Sequence, residues 1–142
     1  MNKQILCLDF DGVLHSYTSG WQGADVVSDP PVPGALQFIW DAQEHFTVAV
    51  YSSRSGQPGG IAAMKDWLIS VANASRDEGP WCDDPHLGFI RQIQWPTEKP
   101  PAMVTLDDRA ITFNGVWPSV SQLCAFQPWN RHRPNRECWS RG

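Results

Sequence analysis

The sequence predicts a three-layer α/β/α fold built on a parallel sheet, with no sizeable cap domain. Three observations lead to this prediction. Short apolar runs alternate with helix-like segments, these runs are too short for helices, and polar residues follow several of them. Ligands bind beyond the carboxyl ends of strands in parallel sheets, so we expect those polar residues to meet at one rim.

The predicted elements follow one another in a regular order. Residues 4–10 read as a buried strand, and Pro33-Gly34 begins a helix that runs to about His45. Between them, the stretch from His15 to Pro33 is rich in turn-forming residues and is predicted to be a loop or small flap. The later elements are strands at 47–51, 89–95, 102–106 and 110–113, and helical segments at 60–74 and 121–126.

Composition indicates one globular domain, residues 1–127, followed by a basic tail, residues 128–142. The net charge of −4 conceals this asymmetry, because the tail holds Arg131, Arg133, Arg136 and Arg141 against one acid, Glu137. The preferred interpretation of the tail is a solvated terminus, and the alternative is contact with a phosphate-rich partner.

The four cysteines show no CxxC spacing, so we expect reduced thiols and a cytoplasmic protein without a disulfide framework. No apolar run approaches the roughly 20 residues that a membrane-spanning helix needs. The sequence therefore predicts no membrane partner, and it leaves the oligomeric state open.

Carboxylates follow two of the apolar runs. Asp9 and Asp11 come at the end of the first apolar run, and the pair Asp107-Asp108 comes directly after the apolar run 103–106. Mg²⁺ prefers oxygen ligands and is often held by one or two carboxylates together with a phosphate oxygen. This pattern predicts a Mg²⁺ site and phosphoryl chemistry.

The residue types also fit covalent catalysis. A carboxylate beside the metal can attack phosphorus, and a second carboxylate two residues later can move protons. Ser52, after the second strand, offers a hydroxyl to the phosphoryl oxygens.

Together these motifs resemble the haloacid dehalogenase-like (HAD) phosphohydrolases, which have a Rossmann-like sheet. The segment from Asp9 to Val13 is similar to the first motif, which implies Asp9 as nucleophile and Asp11 as general acid/base. Ser52 resembles the second motif. The metal ligands implied are Asp9, Asp11, Asp107 and Asp108.

The third motif of this family needs a cation, for which Lys99 is the preferred candidate, with Lys65 and Arg54 as alternatives. A fully extended chain would place Lys99 about 26 Å from Asp107. Lys99 can therefore fill this role only if it lies at the end of the 89–95 strand and the chain reverses sharply at Pro100-Pro101.

The short insertions between motifs predict an open site suited to bulky phosphate esters, such as phosphoproteins or nucleic-acid ends. Ser52-Ser53-Arg54 is also similar to the Ser-Gly-Arg of polynucleotide kinase phosphatase domains. The predicted substrate contacts are Ser53, Arg54 and His15, whereas Trp21 is undecided between substrate stacking and loop packing.

Other functions remain open at this point. A small-metabolite phosphatase would need a lid from a partner subunit, and a phosphomutase would need a cap. A dehalogenase would leave Asp11 and Asp107 without a role. A catalytically silent phosphate-binding domain keeps the fold, and a nuclease uses the carboxylates only as metal ligands.

Overall fold

The structure is a computed structural model that describes residues 3–129. The chain divides into two compact units, residues 1–107 and 108–142. The predicted domain boundary at residue 127 stays a prediction. The predicted basic tail, with its four arginines, lies outside the described residues from residue 130 onward.

A three-stranded parallel sheet forms the centre of the first unit. It consists of β1 (Gln4–Leu8), β2 (Phe46–Val50) and β3 (Val104–Leu106), in the order β2-β1-β3. The prediction of an α/β fold with a parallel sheet is thus confirmed. Leu8 pairs with both Val50 and Leu106, so the three strands end at the same level.

Two helices pack on one face of this sheet, α1 (Ala35–Ala42) and α2 (Gly60–Ala74). The connection from β1 to β2 contains α1, and the connection from β2 to Gln94, which forms a parallel bridge with Ala49, contains α2. Both connections run in the same direction across the sheet. Since crossovers between parallel strands are right-handed, both helices lie on the same face. Their fully buried side chains include Ile39, Met64 and Leu68. The strand residues in the same core are Leu6, Leu8, Val48 and Val50.

The predicted strand at Phe89–Trp95 is wrong over most of its length. A short helix, α3 (Gly88–Arg91), occupies its first half, and only Gln94 forms a parallel bridge, with Ala49. The Asp84 carboxylate accepts hydrogen bonds from the backbone N–H groups of Gly88 (2.7 Å) and His86 (3.0 Å), which favours a helix start here. A short apolar run alone does not distinguish a buried helical turn from a strand.

Residues 95–103 carry the chain from beyond β2 to the other side of β1. The right-handed rule places this connection over the opposite face of the sheet from α1 and α2. It is not helical, and β3 keeps much of its surface exposed, with Val104 43% and Leu106 41% accessible. The full three-layer arrangement therefore stays a prediction.

The second unit contains one helix among its described residues, α4 (Val120–Cys124). Ser119 caps it, since its hydroxyl accepts from the Gln122 N–H while the Gln122 side chain accepts from the Ser119 N–H. Residues 110–113 form no strand, contrary to the prediction. Their alternating pattern is too short to form a strand unless a neighbouring strand pairs with it.

Cysteine chemistry differs from the expectation at one position. Cys7 and Cys82 are free thiols, but Cys124 is disulfide-bonded. The expectation of four reduced cysteines is therefore wrong at Cys124. Bridging depends on the distance between two Cα atoms in the folded chain, which cysteine spacing along the sequence does not reveal. Among the described residues, no helix is both long and apolar enough to cross a membrane.

Candidate functional site

The ends of β1, β2 and β3 bring the first and last motifs side by side. The Asp9 N–H donates to the Leu106 carbonyl (2.9 Å), and the Tyr51 N–H donates to the Leu8 carbonyl (3.1 Å). These bonds continue the sheet pairing by one residue. Asp9 therefore lies between Tyr51 and Asp107 at the rim where parallel sheets bind ligands.

The carboxylates at this rim form a compact group. Asp9 and Asp107, which both belong to the first unit, each have a carboxylate oxygen within 4.8 Å of the other. Asp108 is the first residue of the second unit, and its predicted role as a metal ligand stays a prediction. The Phe10 N–H donates to Oδ1 of Asp9 (2.8 Å), which orients that carboxylate. An all-oxygen, negatively charged set of this kind fits the ligand preference of Mg²⁺.

Asp11 lies outside this group, and its two carboxylate oxygens are engaged elsewhere. Oδ2 accepts from Nε of Arg54 (2.9 Å), and Oδ1 accepts from Nη2 of Arg54 (3.2 Å) and from Nδ1 of His15 (2.8 Å). Burial by itself raises the pKa of the Asp11 carboxyl, but the hydrogen bonds from His15 and Arg54 and the charge of Arg54 outweigh burial and hold that pKa below its ordinary value. The predicted role of Asp11 as a metal ligand stays a prediction.

Arg54 is fully buried, with 0% of its surface exposed. Besides its two contacts with Asp11, it donates from Nη1 to the carbonyl oxygens of Gly23, Ala24 and Val26, each at 2.9 Å. The predicted contact between Arg54 and a substrate stays a prediction. The sequence marks a cation after Ser52-Ser53, but it carries no signal that the side chain turns inward.

His15 is also buried, and it acts on Asp11 from the other side. The Asp29 N–H donates to Nε2 of His15 (3.0 Å), so Nδ1 carries the proton and donates to Asp11. The imidazole stacks on Phe10 (5.4 Å between ring centroids) and meets Trp67 edge-on (5.3 Å). The contacts of His15 orient Asp11, and its predicted role as a substrate contact stays a prediction.

Ser52 begins the turn that directs Arg54 inward. Its hydroxyl oxygen accepts from the Arg54 N–H (3.1 Å), and its own N–H donates to the Ser55 hydroxyl (3.0 Å). Both serines are buried, whereas Ser53 is exposed. The Ser52 O–H keeps its proton available for donation, and the predicted role of Ser53 as a substrate contact is untested.

Lys99 is exposed on the connection that crosses the sheet. Burial raises the pKa of the Cys7 thiol and the charge of Asp9 adds to this effect, whereas the Thr105 hydroxyl and the Lys99 ammonium lower it. The alternative cation Lys65 is exposed on α2. The assignment of Lys99 to the third motif stays a prediction.

Asp29 is a buried residue that the motif analysis missed. Its Oδ2 accepts from the Ser19 N–H (2.8 Å), and its carbonyl accepts from Nε1 of Trp67 (2.9 Å). Burial raises the pKa of the Asp29 carboxyl, but the hydrogen bonds from Ser19 outweigh this and lower it overall. In the sequence, Asp29 directly before Pro30 is the feature that could have indicated an ordered turn in the flap.

No protein-family model matches this chain, and comparisons with curated proteins and with solved structures found no match. The resemblance to HAD phosphohydrolases therefore rests on the motifs themselves. The site consists of two parts. One is the acidic group at Asp9 and Asp107, and the other is the buried cluster of Asp11, His15 and Arg54.

Proposed function

We propose that this chain is a Mg²⁺-dependent phosphomonoesterase of the HAD type that acts through an aspartyl-phosphate on Asp9. The observation that carries this proposal is the alignment of Asp9 and Asp107 at the same rim of a parallel sheet, with their carboxylate oxygens within 4.8 Å. Two acids this close repel each other in the absence of a cation, and a divalent ion removes that cost.

Asp9 and Asp107 would hold the Mg²⁺, with Asp108 as the next carboxylate along the chain. When bound, Mg²⁺ neutralises negative charge on the phosphoryl oxygens. The Ser52 hydroxyl and the exposed ammonium of Lys99 are the chain's own candidates for further donors to those oxygens.

The reaction proceeds in two displacements. A carboxylate oxygen of Asp9 attacks phosphorus, and the bond to the leaving oxygen breaks. Water then attacks the phosphorus of the aspartyl-phosphate, which releases inorganic phosphate and restores the Asp9 carboxylate.

Asp11 handles the protons of both steps. Its lowered pKa keeps it ionised in the resting protein, so it can accept a proton from the attacking water, as a weaker base than a carboxylate of ordinary pKa. To act as the acid in the first step it must first gain a proton. The negative charge of a nearby phosphate ester raises the pKa of a carboxyl group and so favours that protonation.

The substrate proposed is a bulky phosphate ester, with a nucleic-acid end as the leading example. The first unit is a single compact body, and neither the flap nor the segment from α2 to α3 forms a separate cap. A large leaving group can therefore extend away from the rim.

Phosphate release from oligonucleotide ends, nucleotides, sugar phosphates and phosphopeptides, measured with Mg²⁺ and with EDTA, tests the proposal. We expect Mg²⁺-dependent turnover that falls at least 1,000-fold, by order of magnitude, in Asp9→Asn. The matched control is Asp83→Asn, which changes an exposed acid outside the site. Equal rates in Asp9→Asn and the wild type would contradict the proposal.

Trapping with beryllium fluoride and Mg²⁺ separates this mechanism from that of a metal-dependent nuclease. A phosphatase of the proposed type forms a stable adduct on Asp9 that mimics the aspartyl-phosphate. A nuclease that uses Asp9 only as a metal ligand forms none. Asp11→Asn keeps Asp9 intact, and we expect it still to form the adduct.

A further inference from the structure

The flap between β1 and α1 is a closed loop with an ordered base. The Ser16 N–H donates to the Pro30 carbonyl (2.9 Å), and the Val32 N–H donates to the Leu14 carbonyl (2.8 Å). Nε1 of Trp67, on α2, donates a hydrogen bond to the Asp29 carbonyl of this loop. The loop is thus fixed to the body of the first unit at several points.

Arg54 connects the far part of this flap to the candidate site. One guanidinium nitrogen donates to three flap carbonyls, at Gly23, Ala24 and Val26, while Nε and the other nitrogen bind Asp11. The position of the flap and the position of the Asp11 carboxylate therefore depend on the same side chain.

Trp21 lies in this flap directly over the guanidinium. The Arg54 guanidinium carbon is 4.9 Å from the centre of the Trp21 ring, a cation–π distance. Arg54 has no exposed surface, whereas Trp21 is 48% exposed. One part of the indole is covered by the cation, and nearly half of the side chain faces solvent although the loop around it is held in place.

We propose that Trp21 is a stacking platform for the nucleobase of a phosphate ester whose phosphate is bound at Asp9. This inference rests on the phosphatase activity proposed above. An exposed indole on a fixed loop offers a π-face to any base, and base–aromatic stacking of this kind tolerates different sequences. The Arg54 cation also polarises the ring from its covered side.

A nucleobase suits this position better than an aryl group attached to the phosphate oxygen. The guanidinium of Arg54 contacts both Asp11 and the indole, so one side chain lies between that carboxylate and the platform. In an aryl phosphate the ring is attached directly to the phosphate oxygen. In a nucleotide the sugar separates base from phosphate, so the base can extend to an aromatic ring beyond Arg54.

Paired substrates isolate the effect of the base. Oligonucleotides with a 3′-phosphate are prepared with a normal terminal nucleotide and with an abasic one, and kcat/KM is measured for each. We expect the wild type to prefer the base-bearing end about tenfold and Trp21→Leu to lose that preference. Trp21→Phe keeps a ring and should retain most of it.

Trp40→Leu is the matched control, because Trp40 is also partly exposed but packs on Phe89 (5.2 Å between ring centroids) and not on Arg54. It should keep the wild-type preference. An equal fall on both substrates in Trp21→Leu, or no change on either, would overturn the inference. A preference that also appears with nucleoside 3′-monophosphates shows that the base alone is recognised, and one confined to oligonucleotides shows that a strand end is needed.

Equilibrium binding keeps the two proposals distinguishable. Fluorescence anisotropy compares the Kd of the base-bearing and abasic oligonucleotides without requiring turnover. If the wild type hydrolyses no phosphate ester but binds the base-bearing end more tightly through Trp21, the phosphatase proposal fails and the platform stands. Equal Kd values in the wild type would end the platform proposal.

Discussion

Single residues of this protein hold together parts of the chain that are far apart in sequence, and Arg54 is the clearest case. Its guanidinium binds the Asp11 carboxylate after β1 and three carbonyls of the flap. Arginine suits this position because its planar fork presents five N–H donors and stays charged when buried. Lysine offers three donors from one point and cannot reach both partners.

Replacing Arg54 should therefore cost a large part of the folding free energy. We expect Arg54→Leu to lower the free energy of unfolding by about 3–5 kcal/mol, since it leaves the partly buried Asp11 carboxylate without its buried cation. Urea denaturation measures the change. Arg91→Leu is the control, because Arg91 is exposed and its side chain donates only to the His86 carbonyl among the hydrogen bonds described. A loss below about 1 kcal/mol for Arg54→Leu would contradict this account.

The Asp29 carboxyl predicts how stability depends on pH. Hydrogen bonds from Ser19 lower its pKa in the folded protein, so the carboxylate stabilises the fold above its unfolded pKa of about 3.9. That stability is lost as the pH falls through the lower, folded value. We expect Asp29→Asn to be less stable than the wild type at pH 7 and to lose less stability on acidification.

Urea denaturation at pH values chosen between about 2.5 and 7 measures the free energy of unfolding of both proteins. Asp83→Asn removes an exposed carboxylate and should follow the wild-type curve. Parallel curves for Asp29→Asn and the wild type would show that Asp29 does not contribute to the acid dependence.

At the scale of elements, the start of α2 determines the shape of the Ser52–Ser55 turn. Gly59 precedes the helix in the left-handed region (φ 76°), and Gly60 begins it against the backbone of Arg54. A Cβ atom at Gly60 would overlap the Arg54 carbonyl oxygen. Only glycine allows the helix to approach the turn this closely.

Gly60→Ala should accordingly destabilise the protein by about 1–3 kcal/mol and disturb the Arg54 contacts. Gly56→Ala is a matched control in the same loop, because a Cβ there meets nothing within 4 Å. It should be neutral or slightly stabilising, since alanine restricts the unfolded chain. Thermal unfolding of the two variants tests this directly, and equal effects would show that the close approach at Gly60 is relaxed in solution.

At the scale of the whole first unit, the direction of the crossovers decides where chemistry can occur. The strand order β2-β1-β3 brings Asp9 beside Asp107. A cation that binds this pair binds the folded chain and not the unfolded one, so it must stabilise the fold.

Mg²⁺ should therefore raise the Tm. At ten times its Kd we expect an increase of roughly 3–6 °C over the protein in EDTA. Asp107→Asn should lose most of this increase, whereas Asp83→Asn should keep it. Equal Tm values for the wild type with Mg²⁺ and with EDTA would contradict metal binding at this rim.

Much of the fold follows from the order of residues alone. The alternation of apolar runs and helix-like segments correctly placed β1, α1, β2, α2 and β3, because burial on a sheet or a helix face leaves a period in the sequence. It failed at Phe89–Trp95, where the apolar run is short and the Asp84 carboxylate accepts a hydrogen bond from the N–H of Gly88, the first residue of α3. The period of apolar residues carries no information about this hydrogen bond, in which Asp84 accepts from a residue four positions later.

The sequence by itself determined that acids stand at the ends of two strands, since residue type and strand position are both local properties. The sequence also led to the expectation that Asp9 and Asp107 meet at one rim, whereas only the tertiary structure decided that Asp11 lies outside their group, bound to Arg54 and His15. Strand order and the inward turn of Arg54 depend on contacts between residues far apart along the chain. Those contacts arise from packing the whole domain, and a local pattern carries no trace of them.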